Sequence, residues 1–190
     1  MYSRYRIFEK ANGITTEKIE WITMLFPFTF KPHSEDEKFM LEALKEAWKA
    51  FKQGEVPVGA VLVHEGQVIS RGYNQVELLK DATAHAEMLC ITAGEVAIEN
   101  WRLTDTTLYT TIEPCCMCAG AMFLSRISTL VWGAPDLRHG ANGSWMNVFE
   151  KVHPTHNLNI RRGVLEEYGA TLMRDFFKKC RQEKKALAGE

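Results

Sequence analysis

The sequence has few cysteines, no excess of either charge and no apolar run long enough to cross a membrane. Five cysteines among 190 residues are too few, and odd in number, for a secreted disulfide scaffold. We therefore expect reduced thiols in a cytoplasmic protein. The 23 lysines and arginines nearly balance the 24 aspartates and glutamates, so the chain lacks the overall basic surplus of many nucleic-acid binders. A nucleic-acid partner requires a local basic surface instead.

Residues 1–34 are interpreted as an N-terminal extension of unknown role. Their apolar segment, 22–30, contains Pro27 and is far shorter than the roughly 20 residues of a membrane span. Two glutamates precede it, where a signal peptide carries positive charge. We therefore predict no membrane association. The segment is either a peripheral extension, or translation starts further along, for instance at Met24.

Residues 35–185 carry alternating helix and strand signals, and residues 186–190 form a short tail. Ser34 and Glu37 form a capping box before a helical pattern that Gly54 ends. Strand signals follow at 56–64, 67–74, 106–112, 127–134 and 158–164, and further helix signals at about 84–94, 115–125 and 165–176. This order predicts an α/β domain with a mostly five-stranded sheet flanked by helices.

Two short segments, HAE and PCCMC, combine the ligands that zinc prefers. The imidazole of His85 and the thiolates of Cys115 and Cys118 leave a fourth tetrahedral position for water, which is typical of a catalytic site. Residues three apart at the start of a helix share one face, and the helix N-terminus favours the thiolate form. Cys116 is expected to point elsewhere.

Glu87 supplies the group that moves protons at such a site. Zinc lowers the pKa of a bound water to about 7. Attack on a ring carbon that bears an amino group then requires proton transfer to a ring nitrogen and to the departing ammonia, which one carboxylate can perform. Because positions i and i+2 of a helix do not face each other, we predict that His85 and Glu87 lie at the very start of a helix.

Three other interpretations stay open at this point. A thioredoxin-type redox motif accounts for Cys115 and Cys118 but gives His85 and Glu87 no role. A structural zinc site needs a fourth protein ligand, for which Cys90 is the nearest candidate. A purely structural explanation, with buried thiols and a core histidine, suits His85 alone but not the joint pattern.

Longer segments resemble the bacterial tRNA wobble-adenosine deaminases of the cytidine deaminase-like zinc superfamily. H-x-E followed by P-C-x-x-C is the signature of zinc nucleobase deaminases. The segments GEVPVGAVLV, GYNQ, TAHAE, TLYTTIEPCCMCAGAM, VWGAPDLRHGANGS and GVLEEYGATLMRDFFKKCRQE follow in the family's order, over roughly residues 35–185. The resemblance implies a three-layer fold with a mixed sheet, and a homodimer with one zinc ion per subunit. It also implies hydrolytic deamination of adenosine to inosine at the wobble position of a tRNA anticodon, with release of ammonia.

The resemblance also implies roles for individual residues. The three zinc ligands and the proton shuttle are the four residues already named. The side chain of Asn74 and the backbone amide of Ala86 contact the flipped base. The other implied contacts are Val56 and Pro57 in the pocket wall, Asp136 beside the neighbouring nucleotides, and Phe177 and Arg181 on a helix near the anticodon stem-loop.

Two rival functions share parts of this pattern. A free-base or nucleoside deaminase acting on guanine or cytosine has the same zinc site. A catalytically idle RNA-binding subunit is the other rival. Some such subunits lack the glutamate, so the presence of Glu87 argues against this interpretation. Residues 174–190 contain six lysines and arginines against three acidic residues, which suits RNA phosphates and equally a solvated helix end.

Overall fold

The structure, a computed structural model, describes residues 31–188, so nearly all of the predicted extension 1–34 and the end of the predicted tail lie outside the described residues. The elements are α1 (Glu35–Gln53), β1 (Gly59–His64), β2 (Gln67–Tyr73), α2 (Val76–Leu79), α3 (Ala86–Ala97), β3 (Thr106–Ile112), α4 (Cys116–Leu124), β4 (Thr129–Ala134), β5 (Asn159–Arg161) and α5 (Glu166–Ala188). The predicted helices and strands are confirmed, and α2 is a short addition. Within residues 31–188, no helix is both long and apolar enough to span a membrane.

Helix α1 begins and ends where the sequence predicts. The Ser34 side chain accepts a hydrogen bond from the backbone N–H of Glu37 at 3.2 Å, which caps the helix. Gly54 adopts a left-handed conformation with φ of 78°, and its N–H donates to the carbonyl of Phe51 at 3.2 Å. The helix therefore delivers the chain to β1 in a fixed direction.

The five strands form one mixed sheet in the order β2-β1-β3-β4-β5. β1 is antiparallel to both β2 and β3, whereas β4 is parallel to both β3 and β5. Glu65 and Gly66 connect β1 to β2 with φ of 49° and 73°, as a two-residue hairpin turn requires. The predicted five-stranded sheet is confirmed.

Helices cover both faces of the sheet. α1 packs on β1 and contacts α5, whereas α3 packs on β1 and β2 and contacts α4. Gly59 lies against α1 so closely that a Cβ would overlap the carbonyl oxygen of Ala43. Gly72 lies equally close to the carbonyl oxygen of Ala86 in α3. Gly72 pairs with Ala60, the residue after Gly59, so the two glycines face opposite sides of the sheet. Helices α1 and α3 therefore lie on opposite faces, and the structure has the predicted three layers.

The topology brings several predicted site residues to one edge of the sheet. β3 and β4 are parallel, so their last residues, Ile112 and Ala134, pair at the same edge. β1 runs in the opposite direction, so its first residue, Gly59, lies at this edge and pairs with Tyr73 at the end of β2. The connecting segments at this edge contain Val56, Pro57, Asn74, Cys115 and Asp136.

Candidate active site

The three predicted zinc ligands meet where helices α3 and α4 begin. His85 is the N-cap residue of α3, Cys115 is the N-cap residue of α4, and Cys118 lies in the first turn of α4. The Nδ1 atom of His85 is 3.6 Å from the Sγ atom of Cys115 and 3.6 Å from that of Cys118. The two Sγ atoms are also 3.6 Å apart. The three donor atoms thus form a nearly equilateral triangle.

This triangle has the dimensions of a tetrahedral zinc site. Zinc lies about 2.3 Å from sulfur and about 2.0–2.1 Å from nitrogen, so its ligand atoms are separated by roughly 3.5–3.8 Å. The donor set, one imidazole and two thiols, is also the one that zinc prefers. Three protein ligands leave a fourth position for water or substrate, so the site fits a catalytic rather than a structural ion.

The groups of this cluster are joined by hydrogen bonds of 3.6 Å that involve sulfur. The hydrogen bond between the Cys115 and Cys118 side chains lowers the pKa of Cys115 to about 4, with a further contribution from His85. The same hydrogen bond, together with burial, raises the pKa of Cys118. The hydrogen bond to Cys115 raises the pKa of His85. The Cys115 thiolate is therefore available to a cation, as metal binding requires.

Glu87 lies beside this cluster in the first turn of α3. Its side chain is 4% exposed and lies close enough to Cys118 for each group to affect the pKa of the other. Burial raises the pKa of Glu87 to about 7, so near neutral pH the carboxyl group can both accept and donate a proton. The prediction that His85 and Glu87 lie at the start of a helix is confirmed.

The other two cysteines considered in the sequence lie outside the cluster. Cys90 is fully buried, its Sγ is 3.3 Å from the Oγ of Ser70, and burial raises its pKa to about 12. Cys116 is exposed, as predicted. Of the residues that the structure describes, only His85, Cys115 and Cys118 form a group able to hold a metal ion.

Asn74 immediately follows β2 and is held from two sides. Its backbone N–H donates to the carbonyl of Val58 at 3.0 Å, and its side-chain Nδ2 donates to Oε2 of Glu55 at 3.2 Å. The Asn74 side chain is buried. Because an ionised carboxylate only accepts hydrogen bonds, Glu55 requires the amide nitrogen of Asn74, and not its oxygen, to face it. The carboxylate thus sets the orientation of the Asn74 amide.

Glu55 is a functional candidate that the sequence analysis missed. Its buried carboxylate also accepts hydrogen bonds from the backbone N–H groups of Glu77, at 3.2 Å, and Leu78, at 2.6 Å. It thereby joins Asn74 to helix α2. The available signal was a charged residue directly before an apolar strand, because a glutamate at such a position is rarely buried without partners.

The remaining residues predicted to surround the base lie at the same edge. Val56 is half-buried and Pro57 is buried, and both precede β1. Ala86 is the first residue of α3 and is fully buried. Its backbone N–H belongs to the first turn of a helix, where N–H groups lack acceptors within the helix. The helix therefore leaves this donor for another partner.

Asp136 lies in the loop after β4, and its side chain is used within that loop. Its Oδ1 accepts hydrogen bonds from the backbone N–H groups of Arg138, at 2.9 Å, and His139, at 3.2 Å. The loop is fastened in turn by Glu113, a second buried carboxylate that the sequence analysis missed. The structure therefore places Asp136 at the edge that holds the cluster, in an ordered loop.

Phe177 and Arg181 lie on α5 and are not part of the cluster. Phe177 is 38% exposed and Arg181 is exposed. The adjacent Phe176 is buried, with its ring centroid 6.0 Å from that of Phe51 near the end of α1. Of the two phenylalanines, Phe176 thus belongs to the core and Phe177 is free to contact another molecule.

Comparison with known proteins agrees with this geometry. The family model for the cytidine and deoxycytidylate deaminase zinc-binding region matches residues 33–134. The chain is 56% identical over 158 residues to the chloroplastic tRNA(adenine(34)) deaminase of Arabidopsis thaliana. This match covers 75% of the present chain but 12% of that longer protein. It is 46% identical over 153 residues to the tRNA-specific adenosine deaminase of Bacillus subtilis, covering 80% of this chain and 95% of that protein.

A solved structure supports the same relationship. It comes from a study of A-to-I editing by tRNA:A34 deaminases at the wobble position of transfer RNA. The TM-score is 0.68 at 41% sequence identity, and the match covers 71% of this chain and 98% of that chain. The α/β architecture described above is therefore the one found in these neighbours.

Replacing one thiol of the cluster tests the metal site. We expect Cys118→Ser to weaken zinc binding by more than about 100-fold, because losing only a hydrogen-bond partner of a metal ligand can cost about 10–100-fold and here a serine hydroxyl replaces a thiolate ligand. Zinc content is measured by atomic emission after dialysis against a competing chelator. Cys116→Ser, at the exposed neighbouring position, is the matched control and should keep wild-type zinc. Equal zinc retention by both variants would contradict the assignment.

Proposed function

Since the chain belongs to the cytidine and deoxycytidylate deaminase zinc-binding family, we propose that it converts the wobble adenosine of a tRNA anticodon to inosine. The observation that carries this proposal is the triangle of His85, Cys115 and Cys118 beside the buried Glu87. The relatives named as tRNA adenosine deaminases confirm the predicted enzyme class. The substrate follows from the same relatives and from the wobble-position deaminase structure.

The reaction exchanges the 6-amino group of adenosine for the oxygen of water. A C–O bond forms at C6, the C–N bond breaks, and ammonia leaves. His85, Cys115 and Cys118 would hold one zinc ion per chain, which would lower the pKa of the attacking water to about 7. Glu87 accepts a proton from the attacking water and delivers it to ring nitrogen N1. It then carries the hydroxyl proton to the amino group, which departs as ammonia.

Base recognition falls to the residues that surround the cluster at the sheet edge. We assign hydrogen bonds to the adenine ring to the side chain of Asn74, which Glu55 orients, and to the free backbone N–H of Ala86. Val56 and Pro57 form the apolar wall of the pocket. A deaminase acts on a base that is unstacked and turned out of the nucleic acid, and a pocket at a sheet edge accepts such a base.

The rest of the RNA is assigned to two outer surfaces. The loop that contains Asp136 contacts the nucleotides beside the target adenosine. Phe177 and Arg181, both exposed on α5, contact the stem-loop through stacking and phosphate pairing. A local surface of this kind is required because the chain has a net charge of only −1.

We further propose a homodimer, in which a second copy covers exposed apolar side chains of α2, α3 and α4. These three helices carry four exposed large apolar side chains: Leu78, Leu79, Val96 and Leu124. Large apolar surfaces on a protein are typical of interaction sites. The α1 and α5 layer, by contrast, carries the surface assigned to RNA.

Two proposals concern the whole chain. Residues 35–185 act as the deaminase domain, with 1–34 as a peripheral extension and 186–190 as a tail. The protein works in the cytoplasm, where it meets its tRNA substrate. Recovery of the enzyme in a membrane fraction of lysed cells would contradict this location.

The substrate proposal is tested with an anticodon stem-loop that carries a wobble adenosine, run beside free adenosine, guanine and cytidine. We expect inosine in the RNA and no conversion of the free compounds, measured by chromatography of nuclease digests. Conversion of a free base or nucleoside with the RNA unchanged would assign a different substrate. Protein that begins at Met24 should match the full chain, and a folded but inactive truncation would refute a peripheral role.

The role of Glu87 is tested by removing its ability to exchange protons. Glu87→Gln should keep zinc but lower kcat on the stem-loop by about 10²–10⁴-fold, the usual contribution of general acid–base catalysis. Glu95→Gln, a partly exposed glutamate on the same helix, should leave kcat unchanged. Comparable turnover by zinc-loaded Glu87→Gln protein would reject the proton-transfer role.

The dimer is tested by placing a charge among the exposed apolar side chains of α2, α3 and α4. Leu124→Lys should shift the protein from dimer to monomer in sedimentation velocity, because the buried ammonium group would have no partner in the interface. Leu187→Lys on α5, where the leucine is also exposed in the single chain, should remain a dimer. A wild-type protein that sediments as a monomer at micromolar concentration would refute the proposal.

A further inference from the structure

Glu113 is a buried carboxylate for which the reaction described above has no use. It follows directly after β3, its side chain is 2% exposed, and its backbone N–H donates to the carbonyl of Ala134 at 2.8 Å. A glutamate is rarely this buried unless hydrogen-bond donors surround its carboxylate. Its partners should therefore show what the residue does.

All of the side-chain partners of Glu113 come from the loop after β4. The carboxylate accepts four hydrogen bonds: from the backbone N–H groups of Asp136 at 3.2 Å, Asn142 at 2.7 Å and Ser144 at 3.2 Å, and from the hydroxyl of Ser144. These donors lie between residues 136 and 144, so a single side chain fixes both ends of this part of the loop. We call residues 136–145 the anchored loop.

The anchored loop is also attached to the segment that carries a zinc ligand. The backbone N–H of Ala141 donates to the carbonyl of Pro114 at 2.9 Å, and Gly140 forms an antiparallel bridge with Cys115. Gly140 lies so close to Glu113 that a Cβ at this position would overlap the carboxylate. Glu113, Pro114 and Cys115 thus bind the loop as consecutive residues, and the position of the loop is tied to that of the metal cluster.

The outer side of the anchored loop faces solvent. Leu137 is 81% exposed, Trp145 is 57% exposed and Arg138 is exposed. The backbone N–H of Trp145 donates to the carbonyl of Gly140 at 3.0 Å, so this aromatic side chain extends from an ordered backbone. An exposed tryptophan and an arginine on an ordered loop suit single-stranded RNA, because bases stack on aromatic and guanidinium groups.

We propose that Glu113 is a positioning residue that holds the anchored loop in register with Cys115, so that the loop selects the nucleotides beside the target adenosine. This role rests on the proposed function, because it concerns how the enzyme recognises the nucleotides on either side of the target adenosine. A carboxylate is required because all of its partners in the loop are donors. In a glutamine at this position the amide nitrogen is itself a donor, so it could not accept the hydrogen bonds of these N–H groups.

The test compares Glu113→Gln with Glu46→Gln in the zinc-loaded full-length protein. Glu46 is an equally buried glutamate on α1, whose carboxylate pairs with Lys49 and Arg71, so its replacement controls for the loss of a buried charge. Both variants are assayed on the wobble-adenosine stem-loop and on stem-loops with changed nucleotides on either side of the adenosine. Zinc content and thermal stability are measured in parallel.

We expect Glu113→Gln to raise KM for the stem-loop by about 10-fold or more, the effect of losing a hydrogen bond to a charged group. Its kcat should change less than KM, its zinc content should be unchanged, and its discrimination between flanking nucleotides should fall. Glu46→Gln should lose thermal stability without these effects. Ser144→Ala removes one of the four donors and should raise KM by a smaller factor, so it carries the test if Glu113→Gln does not fold.

Three outcomes would overturn the proposal. Equal KM and equal discrimination in Glu113→Gln and Glu46→Gln would make Glu113 a structural residue only. Loss of zinc with unchanged KM in the remaining holoenzyme would make it a support for Cys115. A wild-type protein that deaminates none of the stem-loops removes the proposed function and this inference together, whereas an active wild type with an unaffected Glu113→Gln variant removes this inference alone.

Discussion

The active site depends on the close approach of two helix N-termini to each other and to the sheet. His85 caps α3 and Cys115 caps α4, so the 3.6 Å separations between the donor atoms exist only if both helices start at the same place. Gly72 makes this possible on the α3 side, because any side chain at this position would collide with the backbone of Ala86. A packing constraint on β2 thus sets the position of His85, one of the three residues that could hold a metal ion.

Three buried glutamates at this edge have separate tasks. Glu55 and Glu113 are surrounded by backbone N–H donors, which fasten helix α2 and the anchored loop. Glu87 is enclosed beside the metal ligands instead, and its burial raises its pKa to about 7. A carboxylate whose lone pairs are used by backbone donors holds structure, whereas one with a pKa near neutrality is suited to the proton transfer proposed for Glu87. The environment of each carboxylate, and not its residue type, decides its role.

The sequence was sufficient for those features that depend on local spacing. The ends of α1, the turn at Glu65 and Gly66, and the placement of Cys115 and Cys118 on one helical face are all set by residues close together in the chain. Glu55 and Glu113 were missed because their partners are mostly backbone N–H groups more than 20 residues away. Every residue except proline has a backbone N–H group, so the sequence does not indicate which of these groups will bind a buried carboxylate. Only the folded chain shows these contacts.

The same distinction separates chemistry from specificity in this molecule. A zinc site with one imidazole, two thiolates and a neighbouring carboxylate can deaminate any amino-substituted ring that reaches it, so these four residues cannot by themselves select adenosine in RNA. Selection must come from groups that touch the base and its neighbours. In this structure Asn74 is oriented by Glu55, and the loop of Asp136 by Glu113. We therefore expect substrate choice to depend on Glu55 and Glu113, the two carboxylates that the proposed reaction leaves out of proton transfer.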